Sequence, residues 1–392
     1  MTDVKFPQAD RCGRIEPFHV MALLARAGEL EAQGQDILHL EVGEPDFPTP
    51  EPVMEAARRA LDRGETRYTP AEGLPALREA IAGWYDQRFG VRLSPERIVV
   101  TPGASGALQL LLALLVNPGD GVLLPDPGYP CNRQFLELVN GRAAKLPLAA
   151  SGGFRVTAAD LRAAWGPDVV AAMLASPDNP TGNVLSSAEL GELAQVARER
   201  GGSLIVDEIY QGLVHEGEDH TVLAEAPEAL VINSFSKFFG MTGWRLGWLV
   251  APEAHVPALH RMAQNFFIAP STPAQHAALA AFDPRTLEEL ERRRLVLDER
   301  RRYLLGALRE LGLPVMGNPR GAFYIYVDVS GVTDDSFAFC ARLLEQEGLA
   351  LTPGADFGAA HGPHRYLRIA YTCDRQRLVQ AVERLQRFME RR

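Results

Sequence analysis

The stretch Leu230-Val-Ile-Asn-Ser-Phe-Ser-Lys-Phe-Phe-Gly-Met-Thr-Gly-Trp-Arg-Leu-Gly-Trp-Leu-Val250 carries the reading of the fold. An apolar run at 230–234 breaks into a loop punctuated by glycine, and a second run follows at 246–250. Short apolar runs bounded by turn signals read as strands buried on both faces. Working outward, similar runs stand at 98–101, 122–124, 169–175 and 204–207, separated by stretches with helical spacing. That alternation predicts an α/β architecture, a mostly parallel sheet covered by helices, with ligands collecting beyond the carboxyl ends of its strands.

On either side the pattern changes. Helices are expected at 18–33, 51–63 and 74–89, with a short strand at 37–42. A long charged helix at 283–311 precedes strands at 322–329 and 366–371 and helices at 336–347 and 375–390. We therefore expect a large domain over 46–284 and a smaller α+β domain over 285–392, completed by the N-terminal segment 1–45.

The 392 residues are 46% hydrophobic and 23% charged, which excludes collagen-like, fibrous and disordered classes. Formal charge is 40 − 50 = −10, and a net acidic chain binds phosphate backbones poorly, so nucleic acid is not expected as a partner. The triplets Arg292-Arg-Arg294 and Arg300-Arg-Arg302 do not alter this, because Glu288, Glu289, Glu291, Asp298 and Glu299 interleave with them as on a solvated, salt-bridged helix face. No apolar run approaches the roughly 18 to 20 residues of a membrane span, and the N-terminus does not read as a secretory signal. A soluble, cytoplasmic protein is expected. Cys12, Cys131, Cys340 and Cys373 form no CxxC pair and the nine histidines no HExxH, so no metal site is expected. His19 and His39 read as ordinary packed residues.

The basic residues are unevenly divided. Only Lys5, Lys145 and Lys237 among the 40 positive side chains are lysines. Arginine neither loses its proton at working pH nor forms a Schiff base, whereas lysine does both, so a lysine among Phe235, Phe238 and Phe239 asks for an amine-specific reason. Partial desolvation and a nearby Arg245 would both lower its pKa.

Other strand ends deliver polar residues toward the same side. The first runs into Thr101-Pro-Gly-Ala-Ser-Gly-Ala, a turn opening a helix, which is either an anion site or a tight packing turn. Another ends in Ser176-Pro-Asp-Asn-Pro-Thr-Gly, holding Asn179 between prolines. A third ends at Asp207, followed by Glu208 and Tyr210; a carboxylate leaving an apolar strand wants a buried cationic partner. Ser234, Ser236 and Arg245 suit a phosphate. An anion cradle, a buried anion, a hydrogen-bond donor and an activated lysine together meet the requirements of pyridoxal 5'-phosphate.

These residues stand in stretches that resemble a known family. Glu41-Val-Gly-Glu-Pro-Asp-Phe-Pro-Thr-Pro, Tyr68-Thr-Pro-Ala-Glu-Gly, Asp126-Pro-Gly-Tyr-Pro, Asp207-Glu-Ile-Tyr, Ser234-Phe-Ser-Lys-Phe-Phe-Gly-Met-Thr-Gly-Trp-Arg and Leu367-Arg-Ile-Ala-Tyr, with the Asn179 loop, are similar to class I/II aminotransferases of PLP fold type I. Within that family the bacterial aspartate, alanine and aromatic subgroup is the nearest in pattern. The resemblance covers nearly the whole chain and implies a seven-stranded, mostly parallel sheet. It implies a Schiff base at Lys237, Asp207 on the pyridine nitrogen, and Asn179 and Tyr210 on the ring hydroxylate. The backbone of Ala104 and Ser105 would hold the phosphate with Ser234, Ser236 and Arg245, and Tyr129 would stack on the ring.

For the substrate it implies Arg368 on the α-carboxylate, with Asn179 beside it and the Gly43 backbone N–H on the same group. Tyr68 would reach the neighbouring subunit's phosphate, making the protein a homodimer. The reaction implied moves an amino group from an L-amino acid to a 2-oxo acid, with 2-oxoglutarate the expected acceptor, in ping-pong half-reactions. A lyase eliminating at the β-carbon shares this cradle and remains open. A regulator carrying the fold on a DNA-binding domain is disfavoured by the acidic charge and the short stretch before Gly43. The amino donor stays undecided. An acidic side chain would need a second arginine, for which Arg14, Arg133, Arg261 and Arg320 are all conceivable; an apolar one would use residues such as Ile15, Phe18 and Tyr324.

Overall fold

Strand residues alternate between two faces, and here both faces are covered. In the computed structural model, which describes residues 7–15 and 19–391, Val100, Leu174, Val206, Val231 and Trp248 join one apolar cluster, while their neighbours Val99, Met173, Ile205, Ile232 and Leu249 join another on the opposite side. The strands are β1 (Ile98–Thr101), β2 (Gly121–Asp126), β3 (Arg142–Pro147), β4 (Val169–Ala175), β5 (Ser203–Asp207), β6 (Leu230–Ser234) and β7 (Gly247–Val250). They form one seven-stranded sheet in the order β1-β7-β6-β5-β4-β2-β3. It is the seven-stranded, mostly parallel sheet expected.

One strand of this sheet was missing from the sequence reading, and one strand gives the sheet its antiparallel part. Strand β3 was not expected, because at the sheet edge its residues alternate between exposed and buried and leave no apolar run. Strand β7 runs antiparallel to both β1 and β6, while the other pairs are parallel. The link from β6 to β7 holds a single 3-10 turn, Thr242–Trp244, and no α-helix to return the chain in parallel.

A second sheet is antiparallel. Its strands β8 (Val315–Met316), β9 (Tyr324–Asp328), β10 (Thr352–Pro353) and β11 (Tyr366–Ala370) lie in the order β10-β11-β9-β8. The expected strand at 37–42 shortens to Leu38–His39, paired in parallel with Leu349–Ala350. Beyond it the chain runs irregularly past both sheets, tied by Ala370 N–H to Leu40 O at 2.8 Å and Asp46 N–H to Thr372 O at 3.1 Å. Gly43 lies within this strap.

The long helix Pro284–Glu310 bears its arginines as expected in part. Arg292 pairs with Glu288 at 3.0 Å and Arg294 with Glu291 at 2.7 Å, the three- and four-residue spacings of a charged helix face. Arg300 and Arg301 are instead buried; Arg300 holds Asp46 at 2.8 Å and Arg301 holds Asp298 at 2.7 Å. His39 also departs from the packed residue expected. Its Nδ1 lies 2.7 Å from the buried Glu41 carboxylate and its Nε2 3.2 Å from Glu31, and the Glu41 hydrogen bond above all pushes its pKa up to about 9. Among the described residues no helix is long and apolar enough to cross a membrane.

Candidate active site

The strand ends singled out in the sequence open into one cavity of about 450 Å³. Ala104 and Ser105, after β1, share its wall with Asn179 after β4, Asp207 of β5, and Lys237 and Arg245 after β6. Gly43, Tyr129, Tyr210 and Ser236 line it too, and the second sheet contributes Tyr324 and Arg368. Two expected residues stand off this wall. Ser234 is buried behind it, and Tyr68 is 82% exposed on the surface.

Lys237 is held by what surrounds its loop. Phe235, Phe238 and Phe239 are buried against Trp84, Trp248 and Phe282, with Phe235 and Trp248 4.9 Å apart between ring centroids. That aromatic packing fixes the backbone and sends the amine into the cavity, where Nζ donates to Gly43 O at 2.6 Å. Burial lowers its pKa to about 8; Glu44 and Asp207 oppose this, and the charges of Arg368 and Arg245 reinforce it. The result is an amine able to shed its proton near neutrality.

Asp207 ends β5 with its carboxylate facing the cavity, where it accepts the Ile209 N–H at 3.0 Å. Burial pushes its pKa up to about 6, and among the described residues it has no cation at ion-pair distance. The cationic partner expected from the sequence is therefore not found among the described side chains. Glu208 points to the other side. Its Oε1 accepts Val222 N–H at 2.7 Å and its Oε2 the Gln211 amide at 2.8 Å; Gln211 accepts from Asn233 at 2.9 Å, and Asn233 Oδ1 accepts Ser234 N–H at 2.7 Å. Sequence reasoning missed this network, which anchors the start of the lysine loop.

The turn after β1 is shaped for close approach. Gly103 has φ +70°, and a Cβ there would meet Arg245 Nη2 at 2.6 Å. The helix Gly103–Leu115 begins at this point, turning its first backbone N–H groups to the cavity beside that guanidinium, as an anion site requires. Ser236 Oγ lies 2.9 Å from Ser234 Oγ, which also lies 3.0 Å from Leu246 O and accepts Ser236 N–H at 3.1 Å. Ser234 thus braces the loop while Ser236 reaches the wall.

Arg368 is buried across the cavity. Its Nη1 donates to Asn179 Oδ1 at 3.0 Å, and its Nη2 to Glu41 O at 2.5 Å and Thr352 Oγ1 at 3.2 Å. The guanidinium lies 4.2 Å from the Tyr324 ring centroid and 4.9 Å from that of Phe357. Tyr324 Oη stands 2.9 Å from Tyr210 Oη, and a Cβ on Gly43 would come within 1.9 Å of it. The sequence offered no signal for Glu41, Thr352 or Phe357 in this role, and Tyr324 was named only as a wall for apolar substrates. Of the four candidate arginines Arg133 alone among the described residues lines the cavity; Arg14 pairs with Glu137 at 2.7 Å and Arg261 is exposed on the helix Val256–Phe266. Phe18 lies outside the described residues.

With this geometry established, comparison with known proteins places the chain. The sequence model of the aminotransferase class I and II family matches residues 35–385. The chain belongs to that family. A valine–pyruvate aminotransferase of Mycobacterium tuberculosis is 37% identical over 95% of this chain and 96% of its own length. The aspartate/prephenate aminotransferase of Thermus thermophilus is 37% identical over 97% and 98%. Among solved structures, an aminotransferase from Mycobacterium tuberculosis superposes with a TM-score of 0.95 at 36% identity, covering 99% of this chain and 100% of that one. The aspartate aminotransferase from Thermus thermophilus with maleate gives 0.92 at 35%, covering 98% and 100%.

As a class I and II aminotransferase the chain is a pyridoxal-phosphate-dependent transaminase. Its residues fit that cofactor. The Asp207 carboxylate, with no ion pair among the described residues, suits a protonated ring nitrogen, and the Gly103 turn beside Arg245 suits a phosphate.

Proposed function

We propose that the enzyme moves the amino group of an L-amino acid to a 2-oxo acid, with 2-oxoglutarate as acceptor, in two ping-pong half-reactions centred on Lys237. The carrying observation is a lysine with its pKa drawn to about 8, set on one cavity wall with a lone buried carboxylate and a buried guanidinium. Bound there, pyridoxal phosphate supplies a sink for the electron pair left when a proton leaves the substrate's α-carbon.

In this reading Lys237 would hold the cofactor covalently through its amine and, once released, that amine would carry the proton from the substrate's α-carbon to the cofactor carbon it had held. Asp207 keeps the ring nitrogen protonated; binding that cation offsets the cost of its own burial. Tyr210 and Asn179 donate to the ring hydroxylate, while Tyr129 covers the ring face. Ala104 and Ser105 N–H, Ser236 and Arg245 hold the phosphate, with Ser234 bracing them. Arg368, fixed by Asn179, Glu41 O and Thr352, receives the α-carboxylate as a fork, and the Gly43 N–H assists. The exposure of Tyr68 supports its use across the interface of a homodimer.

Holoenzyme mixed with each L-amino acid alone tests the reaction. Its preferred donors should release about one equivalent of the matching 2-oxo acid per active site and no ammonia, and Lys237→Ala should release none. Repeated turnover giving pyruvate and ammonia would make the enzyme a lyase instead.

A further inference from the structure

We propose that Arg133 reads a second carboxylate on the substrate, so that the enzyme selects dicarboxylic amino acids and their oxo acids. The inference rests on the transaminase reading above and specifies its substrate class.

Three of the cavity's cations already have roles: Lys237, Arg245 and Arg368. Arg133 is the arginine left at the wall. It sits in the first turn of the helix Cys131–Leu138, directly after the ring-covering Tyr129, and that segment is tied to the opposite wall by Gly128 N–H to Phe357 O at 2.9 Å. Its guanidinium is part-buried, yet among the described residues it makes one hydrogen bond, from Nη2 to Asp356 O at 3.4 Å, and no ion pair. Other part-buried arginines spend their forks on carboxylates: Arg88 on Asp219 at 2.7 Å and Glu291 at 3.0 Å, Arg294 on Glu291 at 2.7 Å. A guanidinium has five N–H donors in a rigid plane, and one long bond leaves most of them for a ligand.

The Asp356 carboxylate is buried and absent from the cavity wall, and it lies within the fields of both Arg133 and Arg368. The contact of Arg133 to this residue is through the Asp356 carbonyl alone, which leaves its other donors free of Asp356. Val20, Met21 and Leu24 of the helix His19–Ala32 and Phe357 line the same cavity. Cationic and apolar side chains therefore share this cavity, a composition that suits carboxylates joined by methylenes. Lys145 also reaches this cavity, but it is exposed on the edge strand β3.

Calorimetric titration of the holoenzyme with glutarate and with pentanoate tests the assignment. Both ligands are unreactive and of equal chain length, and only glutarate has the second carboxylate. Wild type should bind glutarate about 10- to 100-fold more tightly than pentanoate, the range for charge-assisted bonds. Arg133→Met should abolish that ratio, Arg133→Lys should restore part of it, and Lys145→Met should leave it intact. The ratio of kcat/KM for glutamate over alanine should fall with it in Arg133→Met. Equal affinities in the wild type, equal weakening of both ligands by Arg133→Met, or loss of the ratio in Lys145→Met would each overturn the proposal. A transaminase that releases oxo acids but shows no glutarate preference would refute this inference alone; failure to release any would refute the reading beneath it.

Discussion

Between pH 8 and 10.5 the cofactor-free chain should gain stability as pH rises, with Lys237 as the cause. Burial draws its amine from 10.5 down to about 8. In that interval the unfolded chain keeps a proton that the folded chain has released, so stability climbs with pH. Below pH 8 both states are protonated, and the folded state carries the full cost of a buried ammonium. The gap between 10.5 and about 8, at about 1.4 kcal/mol per pH unit, sets that cost at about 3 kcal/mol. Lys237→Met keeps the stem and removes the charge. Urea unfolding of the cofactor-free proteins should find the variant more stable by about 3 kcal/mol near pH 7, the difference shrinking toward zero near pH 10.5. Taking the difference cancels groups common to both chains, including Glu208, which burial pushes up to about 8. A difference that stayed constant with pH would show an ordinary lysine and remove the argument for a ready nucleophile.

Two further substitutions probe the cavity. Gly43→Ala would place a Cβ 1.9 Å from Tyr324 Oη and 3.0 Å from its Cζ, forcing the ring off Tyr210 and Arg368. Overpacking of this kind costs about 1–3 kcal/mol. Urea unfolding should show that loss and steady-state kinetics a higher KM for every substrate; wild-type values of both would mean that Tyr324 has room to yield. Asp207→Asn should separate stability from function. The Asp207 pKa is raised from 3.8 to about 6, so its charged form destabilises the folded state as pH rises through that window. Without cofactor the Asn variant should be more stable near pH 7 by up to about 3 kcal/mol, at about 1.4 kcal/mol per unit, and similar to wild type near pH 3.8. With cofactor its transamination rate should fall by about three orders of magnitude, since the ring nitrogen loses its anion. A rate near wild type would refute the pairing.

What the sequence made legible follows from where each signal resides. Strands buried on both faces write themselves as apolar runs, so all of the sheet except the half-solvated edge Arg142–Pro147 could be read. Lys237 was visible because arginine had been used almost everywhere else. Asp207 was visible because a carboxylate closing an apolar strand is costly. The burial of Arg300 and Arg301 was not, since i,i+4 spacing describes a helix's own charges and nothing of Asp46, 254 positions away. The partners of Arg368 were hidden for the same reason: Glu41 lies 327 positions from it and Asn179 lies 189. No local period encodes such contacts. Choosing among Arg14, Arg133, Arg261 and Arg320 likewise required knowing which faces the cavity.

The contacts illegible in the sequence are those that hold Arg368, the residue proposed to receive the α-carboxylate. Of its five N–H donors, three are used by Asn179, Glu41 O and Thr352, and Nε is buried with no partner. The two donors left, Nε–H and one on Nη1, lie on different edges of the plane, so a carboxylate taken as a fork must displace a present contact of Nη2. The rings of Tyr324 and Phe357 hold the plane of the guanidinium, so little side-chain entropy is left to lose on binding. Tyr324 is also the neighbour of Tyr210 and the side chain that excludes a Cβ at Gly43. One tyrosine thus touches the Arg368 guanidinium, the strap carrying the Gly43 carbonyl that accepts from Lys237, and the Tyr210 hydroxyl. A disturbance at any of these points should register at the others, which is why Gly43→Ala, though it removes no functional group, is expected to weaken every substrate alike.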